Sequence, residues 1–109
     1  MTINIIEPQV ANIAALCRQF GVRRLEVFGS AAGSAFDSEH SDIDFLVDFD
    51  PEGKPDLFHR YFGLNEALAR LFERKVDLVM VGAMRNRYFI ESVAETRKLV
   101  YAAPVAQTA

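Results

Sequence analysis

Cysteine is all but missing from this chain: Cys17 stands alone, so no internal disulfide can form and no multi-cysteine zinc site is available. Long apolar runs are absent too. No stretch approaches the roughly 20 residues that span a bilayer, so a membrane helix is not expected. The N-terminal residues lack the basic start and apolar core of a secretory signal, which leads to the expectation of a cytoplasmic protein. Internal repeats and low-complexity segments are missing as well. There is no excess of base: the net charge is −3. Finally, 109 residues leave no room for two domains.

What is present is an ordinary globular balance, 50% hydrophobic and 25% charged. A chain this short buries a modest share of its surface, so a shallow cleft, completed by a partner, is expected rather than a deep cavity. The acids are unevenly placed. Residues 37–56 hold eight of them against one base, Lys54, whereas most of the other bases fall in the pairs Arg23-Arg24, Arg74-Lys75, Arg85/Arg87 and Arg97-Lys98. A concentrated acidic stretch repels a phosphate backbone unless cations intervene. Direct nucleic-acid binding is therefore not expected, and metal-assisted handling of a phosphorylated ligand stays open.

Pro8 suits a first helical turn. Val10, Ile13, Ala14, Cys17 and Phe20 follow with helical spacing up to a stop at Gly21. Residues 25–28 read as a strand closing on Gly29-Ser30. Residues 42–49 alternate, with Ile43, Phe45, Val47 and Phe49 on one face and Asp42, Asp44, Leu46 and Asp48 on the other. A proline- and glycine-bearing loop follows at 50–55. Asp56 then caps a second helix with Phe58, Tyr61, Leu64, Leu68, Leu71 and Phe72 as its buried stripe. A strand over 76–81, a short helix over 86–94 and a last apolar stretch at 99–101 complete a domain over residues 1–101, with 102–109 as a tail. Alternating helices and strands predict an α/β (α+β) fold: one mixed sheet with helices mainly on one side, its other face partly open.

The chemistry-bearing residues are few. Asp42 and Asp44, two apart on a strand, project from the same face and repel unless a cation or a proton intervenes. Mg²⁺, which prefers oxygen ligands, fits them; a solvated strand edge is the plainer alternative. Their spacing does not fit a calcium EF-hand loop, which wants a third acid or amide where Leu46 stands and glycine where Val47 stands. Asp77 interrupts an otherwise apolar strand, where a lone buried carboxylate needs a cation or firm hydrogen bonds. A salt bridge to Arg74 or Lys75 is the plainer account of it. Three strand-borne carboxylates make a two-metal site conceivable. Gly29-Ser30 ends a strand with a turn whose N–H groups and hydroxyl suit phosphate oxygens, a common and weak signal by itself.

Taken in order, Gly29-Ser30, Asp42-Ile43-Asp44 and then Asp77 resemble the nucleotidyltransferase superfamily related to the DNA polymerase β palm. The likeness also covers Lys75-Val76-Asp77-Leu78-Val79 and Arg85-Asn86-Arg87-Tyr88-Phe89. It is closest to the minimal nucleotidyltransferase family, whose members pair with HEPN-domain proteins in toxin–antitoxin modules. The resemblance implies that Asp42 and Asp44 hold Mg²⁺ on the triphosphate of ATP. Asp77 would help bind the metal that activates an acceptor hydroxyl, and Gly29 and Ser30 would grip the outer phosphates. The acceptor it implies is a tyrosine of a HEPN toxin, silenced by AMP transfer. Many relatives carry Arg-Gly where this chain has Gly33-Ser34, a lost charge that would weaken phosphate or partner contacts.

Two further functions compete with that expectation. One is an antitoxin that masks its toxin by binding alone. The other is a small-molecule nucleotidyltransferase, which ranks last because such enzymes bring a helical acceptor domain. His40 and His59 read as solvent-facing, and Phe58, Tyr61, Phe62 and Phe72 as core or dimer packing. Homo-oligomerisation is left open.

Overall fold

The computed structural model describes residues 5–29 and 42–104. After a short 3-10 turn at Glu7–Gln9 come α1 (Val10–Gln19), β1 (Val22–Phe28), β2 (Ile43–Phe49), α2 (Leu57–Phe72), β3 (Val76–Met80), α3 (Arg87–Thr96) and β4 (Lys98–Ala102), with a second 3-10 turn at Val81–Ala83. The described strands form one mixed sheet in the order β3-β2-β1-β4. β1 runs antiparallel to β2 and β4, while β2 and β3 are parallel. The mixed α/β architecture expected from the alternation of elements is what forms.

Alternation along β2 divides the molecule. Ile43, Phe45, Val47 and Phe49 point into the main core, where Ile13 and Cys17 of α1 and Leu64, Leu68 and Phe72 of α2 cover them. Phe45 is fully buried, and truncating such a side chain to alanine costs about 3–5 kcal/mol. On the opposite face Leu46 joins Phe28 and Val93 of α3 in a smaller cluster. α1 and α2 thus share one face, and among the described residues α3 is the helix on the other.

Several boundaries differ from the sequence expectation. β1 begins three residues earlier, at Val22, because its register shifts between Val22 and Arg24 and lets both Val22 and Leu25 face the core. β3 stops at Met80 and passes into the 3-10 turn. β4 includes Ala102, and Ala103 N–H donates to the Arg23 carbonyl at 2.8 Å, so pairing runs past residue 101. Asp56 caps α2 as expected, accepting from His59 N–H at 3.0 Å; such a cap contributes about 1 kcal/mol.

The stripe on α2 needs correction. Phe58 is 66% exposed and Phe62 54% exposed, stacking on one another with ring centroids 4.7 Å apart. Arg60 is buried instead. Its guanidinium donates to the carbonyls of Pro55, Gly21 and Asp50 and lies over the Phe49 ring. The residue ties the 50–55 loop to the end of α1, and a charge can stay buried there because three carbonyl dipoles and an aromatic face receive it. No described helix is long and apolar enough to cross a membrane.

Candidate active site

The candidate site lies where β1 ends and β2 and β3 begin. Because β2 and β3 are parallel and in register, Asp44 stands directly beside Asp77. Across the antiparallel pairing, Asp44 stands beside Phe28, the last residue of β1. Three neighbouring strands thus bring Gly29, Asp44 and Asp77 to one edge of the face that carries α3. Asp42 precedes β2 on the same side. Ser30, His40 and the Gly33-Ser34 segment lie outside the described residues.

Crowding decides the electrostatics. The Asp44 carboxyl is pushed up to about 6 from 3.8, first by burial, then by the charge of Asp77, a hydrogen bond to it, and the charge of Asp42. Lys75 opposes the shift. Its ammonium stands 4.0 Å from Asp42 and 3.8 Å from Asp77, and all three side chains reach solvent. The plainer account of Asp77 therefore holds in part: Lys75 is its partner. Conversely, the argument from deep burial fails for Asp77, whose side chain is 46% exposed. Asp44 is the member of the trio that burial penalises.

Gly29 adopts φ 72°, a left-handed backbone that favours glycine. A Cβ there would lie 2.6 Å from Oδ2 of Asp44. The Gly29 N–H donates to Thr96 Oγ1 at 2.8 Å, so this N–H already has an acceptor and is not a spare donor for phosphate. Sequence reasoning did not find Thr96, since nothing local links a helix C-terminus to a turn 67 residues earlier.

The donor set is all oxygen, which suits a hard divalent cation, and a cation there would relieve the repulsion that raises Asp44. Among the described residues no three His, Cys, Asp or Glu side chains converge tightly enough to hold a metal ion as they stand. Asp44 and Asp77 are in register on adjacent strands. Asp42, 44% exposed, stands 4.0 Å from the Lys75 ammonium.

Other sequence candidates fall elsewhere. His59 is exposed and contacts Asp56 at 2.8 Å. Arg85 donates to the Gly82 carbonyl at 2.7 Å and Arg87 pairs with Glu91 on its own helix. Arg97 is not a free docking base: it makes two hydrogen bonds, 2.5 and 2.7 Å, to the buried Glu26 of β1. A cavity of about 600 Å³ opens at the other end of the sheet, between Phe49, Leu57, Arg60, Met80 and Arg85, and none of the three carboxylates lines it.

Carboxylates pair across β2 and β3, below a glycine turn that closes β1, and residues 12–100 match the nucleotidyltransferase domain family. The chain belongs to that family. It is 40% identical over 89 residues to the protein adenylyltransferase MntA of Thermococcus cleftensis, covering 79% of this chain and 80% of that one. Among solved structures it is similar to a candidate minimal nucleotidyltransferase, with TM-score 0.71 and 28% identity over 90% of this chain and 95% of the other. It also shares the fold of a chain in the complex of tri-AMPylated Shewanella oneidensis HEPN toxin with MNT antitoxin. There the TM-score is 0.61 at 20% identity, over 91% of this chain and 74% of that one. The likeness to minimal nucleotidyltransferases drawn from the motifs is borne out.

Proposed function

We propose that this chain transfers AMP from ATP to a hydroxyl of a partner protein, a tyrosine of a HEPN-type toxin, and so acts as its antitoxin. One observation carries the reading: in a chain of this family, Asp44 and Asp77 sit in register on adjacent parallel strands, with Gly29 against Asp44. The T. cleftensis relative, a protein adenylyltransferase by name, and the fold shared with a chain of the toxin–antitoxin complex support the acceptor class.

In this mechanism Asp42, Asp44 and Asp77 would hold Mg²⁺, which when bound supplies charge stabilisation for the triphosphate and the departing pyrophosphate. Ser30 would orient the outer phosphates, and Gly29, lacking a side chain, lets the turn lie against Asp44. The acceptor oxygen forms a bond to the α-phosphorus as the bond to the pyrophosphate oxygen breaks. The hydroxyl proton passes to a carboxylate oxygen of Asp77, which is open to solvent and to an arriving partner. Lys75, between Asp42 and Asp77, offsets part of their negative charge. The partner excludes water from a site that this chain leaves open.

Incubating chain, partner and Mg-ATP is expected to add AMP mass to a partner tyrosine, and the Asp42→Ala, Asp44→Ala double variant is expected to abolish it. If that variant still neutralises the toxin, and the toxin's mass is unchanged, the chain masks its partner without chemistry and the enzymatic reading fails.

A further inference from the structure

α3 is poorly covered: Val93 is its one buried residue, while Tyr88 is 81% and Ile90 41% exposed. Burial along its length does not place such a helix. Phe89 in its first turn meets the Phe28 ring edge-on, and three further contacts toward its C-terminal end tie it to the end of β1. Val93 packs with Phe28. Arg97 holds Glu26 through two hydrogen bonds. Thr96 Oγ1 accepts the Gly29 N–H at 2.8 Å. The first two join the helix to the strand; the third reaches the turn.

A threonine at a helix end has an easier use for its hydroxyl, a bond to a carbonyl of its own last turn. Here the oxygen also accepts the N–H of the residue whose missing side chain lets Asp44 approach, which a hydroxyl can do whether or not it donates. Without that acceptor the Gly29 N–H must find water or another partner, because an unpaired amide is costly. Either change shifts the peptide at φ 72°, which lies where an added Cβ would come within 2.6 Å of Oδ2 of Asp44.

We infer that Thr96 is a positioning residue for the nucleotide site, setting the Gly29 turn against Asp44 from the end of α3. The inference rests on the proposed roles of Gly29 and Asp44 but is testable apart from them.

In the full-length chain, Thr96→Val removes the acceptor at nearly constant shape, Thr96→Ser retains it, and Thr96→Ala serves if valine prevents folding. Loss of one such bond is expected to speed Gly29 amide hydrogen exchange about tenfold and to raise KM for Mg-ATP about five- to tenfold, with kcat within about twofold. Serine is expected to restore both. Three results overturn the inference: wild-type exchange and KM in the valine or alanine variant, serine failing as badly as valine, or a lower Tm with kcat and KM per folded molecule unchanged. If the wild-type chain transfers no AMP, the proposed function falls. Gly29 exchange then decides alone: acceleration in valine reversed by serine supports Thr96, and equal exchange in all variants overturns it.

Discussion

Gly29 and Asp44 are packed so closely that a single added carbon on the glycine would stand 2.6 Å from the aspartate's Oδ2. Gly29→Ala meets two penalties at once, a left-handed φ worth about 1–2 kcal/mol and the displacement of Asp44. The expected outcome is a folded chain with a lower Tm and clearly weakened Mg-ATP binding. Calorimetry showing wild-type Mg-ATP affinity in this variant would remove Gly29 from the site.

The ion pair behind the site carries a pH signature. Two hydrogen bonds from Arg97 hold the Glu26 carboxyl down at about 2, against an ordinary 4.5, with Arg24 adding to the effect and burial opposing it. Because the folded-state value is depressed, the stability it contributes is present above 4.5 and is lost as pH falls toward 2. Discounted for the solvent that reaches both arginines, the contribution is about 1–3 kcal/mol. Glu26→Gln is expected to lower stability at pH 7 by that amount and to flatten the acid limb of the pH–stability curve. Urea unfolding from pH 7 to pH 2.5 checks it, and an unchanged acid limb refutes it.

Much of this arrangement was legible in the sequence, for local reasons. Period-two alternation across Ile43, Phe45, Val47 and Phe49 fixed which face of β2 carries Asp42 and Asp44, and the Asp56 cap announced α2. What escaped was long-range. The buried Arg60 had no sequence signal, since the three backbone carbonyls that receive it, one 39 residues away, leave no local pattern. Phe58 looked like core by spacing, yet lies on the outer side of the α2 N-terminus. Glu26 and Arg97, 71 residues apart, offered nothing to link them. Likewise, the in-register pairing of Asp44 with Asp77 depended on the parallel alignment of β2 and β3, which neither strand specifies by itself.

Cys17 gives a clean probe of that core. It is fully buried under α1, and burial pushes its thiol up to about 12. Only a thiolate reacts readily with disulfide reagents. The folded chain is expected to resist modification at pH 8 and to react at a rate that follows global unfolding as denaturant is raised. Rapid labelling without denaturant would mean that α1 opens locally and is not firmly packed.

The candidate site makes one demand that a merely structural cluster would not: its carboxylates should cost stability. Asp44 is pushed up to about 6, first by burial and then by Asp77 and Asp42. A raised folded-state value means that the favourable, protonated form is complete below 3.8 and is lost as pH rises through 6. At pH 8 the ionised Asp44 therefore opposes folding. Asp44→Asn removes the charge, keeps the shape and retains a donor for Asp77. Screened by the solvent that reaches the site, the gain is about 0.5–1 kcal/mol, or about 2–5 °C in Tm. The variant is expected to melt above wild type at pH 8 and level with it at pH 4. Mg²⁺ should raise the wild-type Tm and leave the variant's unchanged, since a cation offsets repulsion only where the charge remains. AMP transfer should be lost. An aspartate held there for structure, through Lys75 or hydrogen bonds, predicts the reverse order at pH 8, with the asparagine variant melting first. Melting curves of both proteins at the two pH values, with and without Mg²⁺, separate a carboxylate kept for a cation from one kept for the fold.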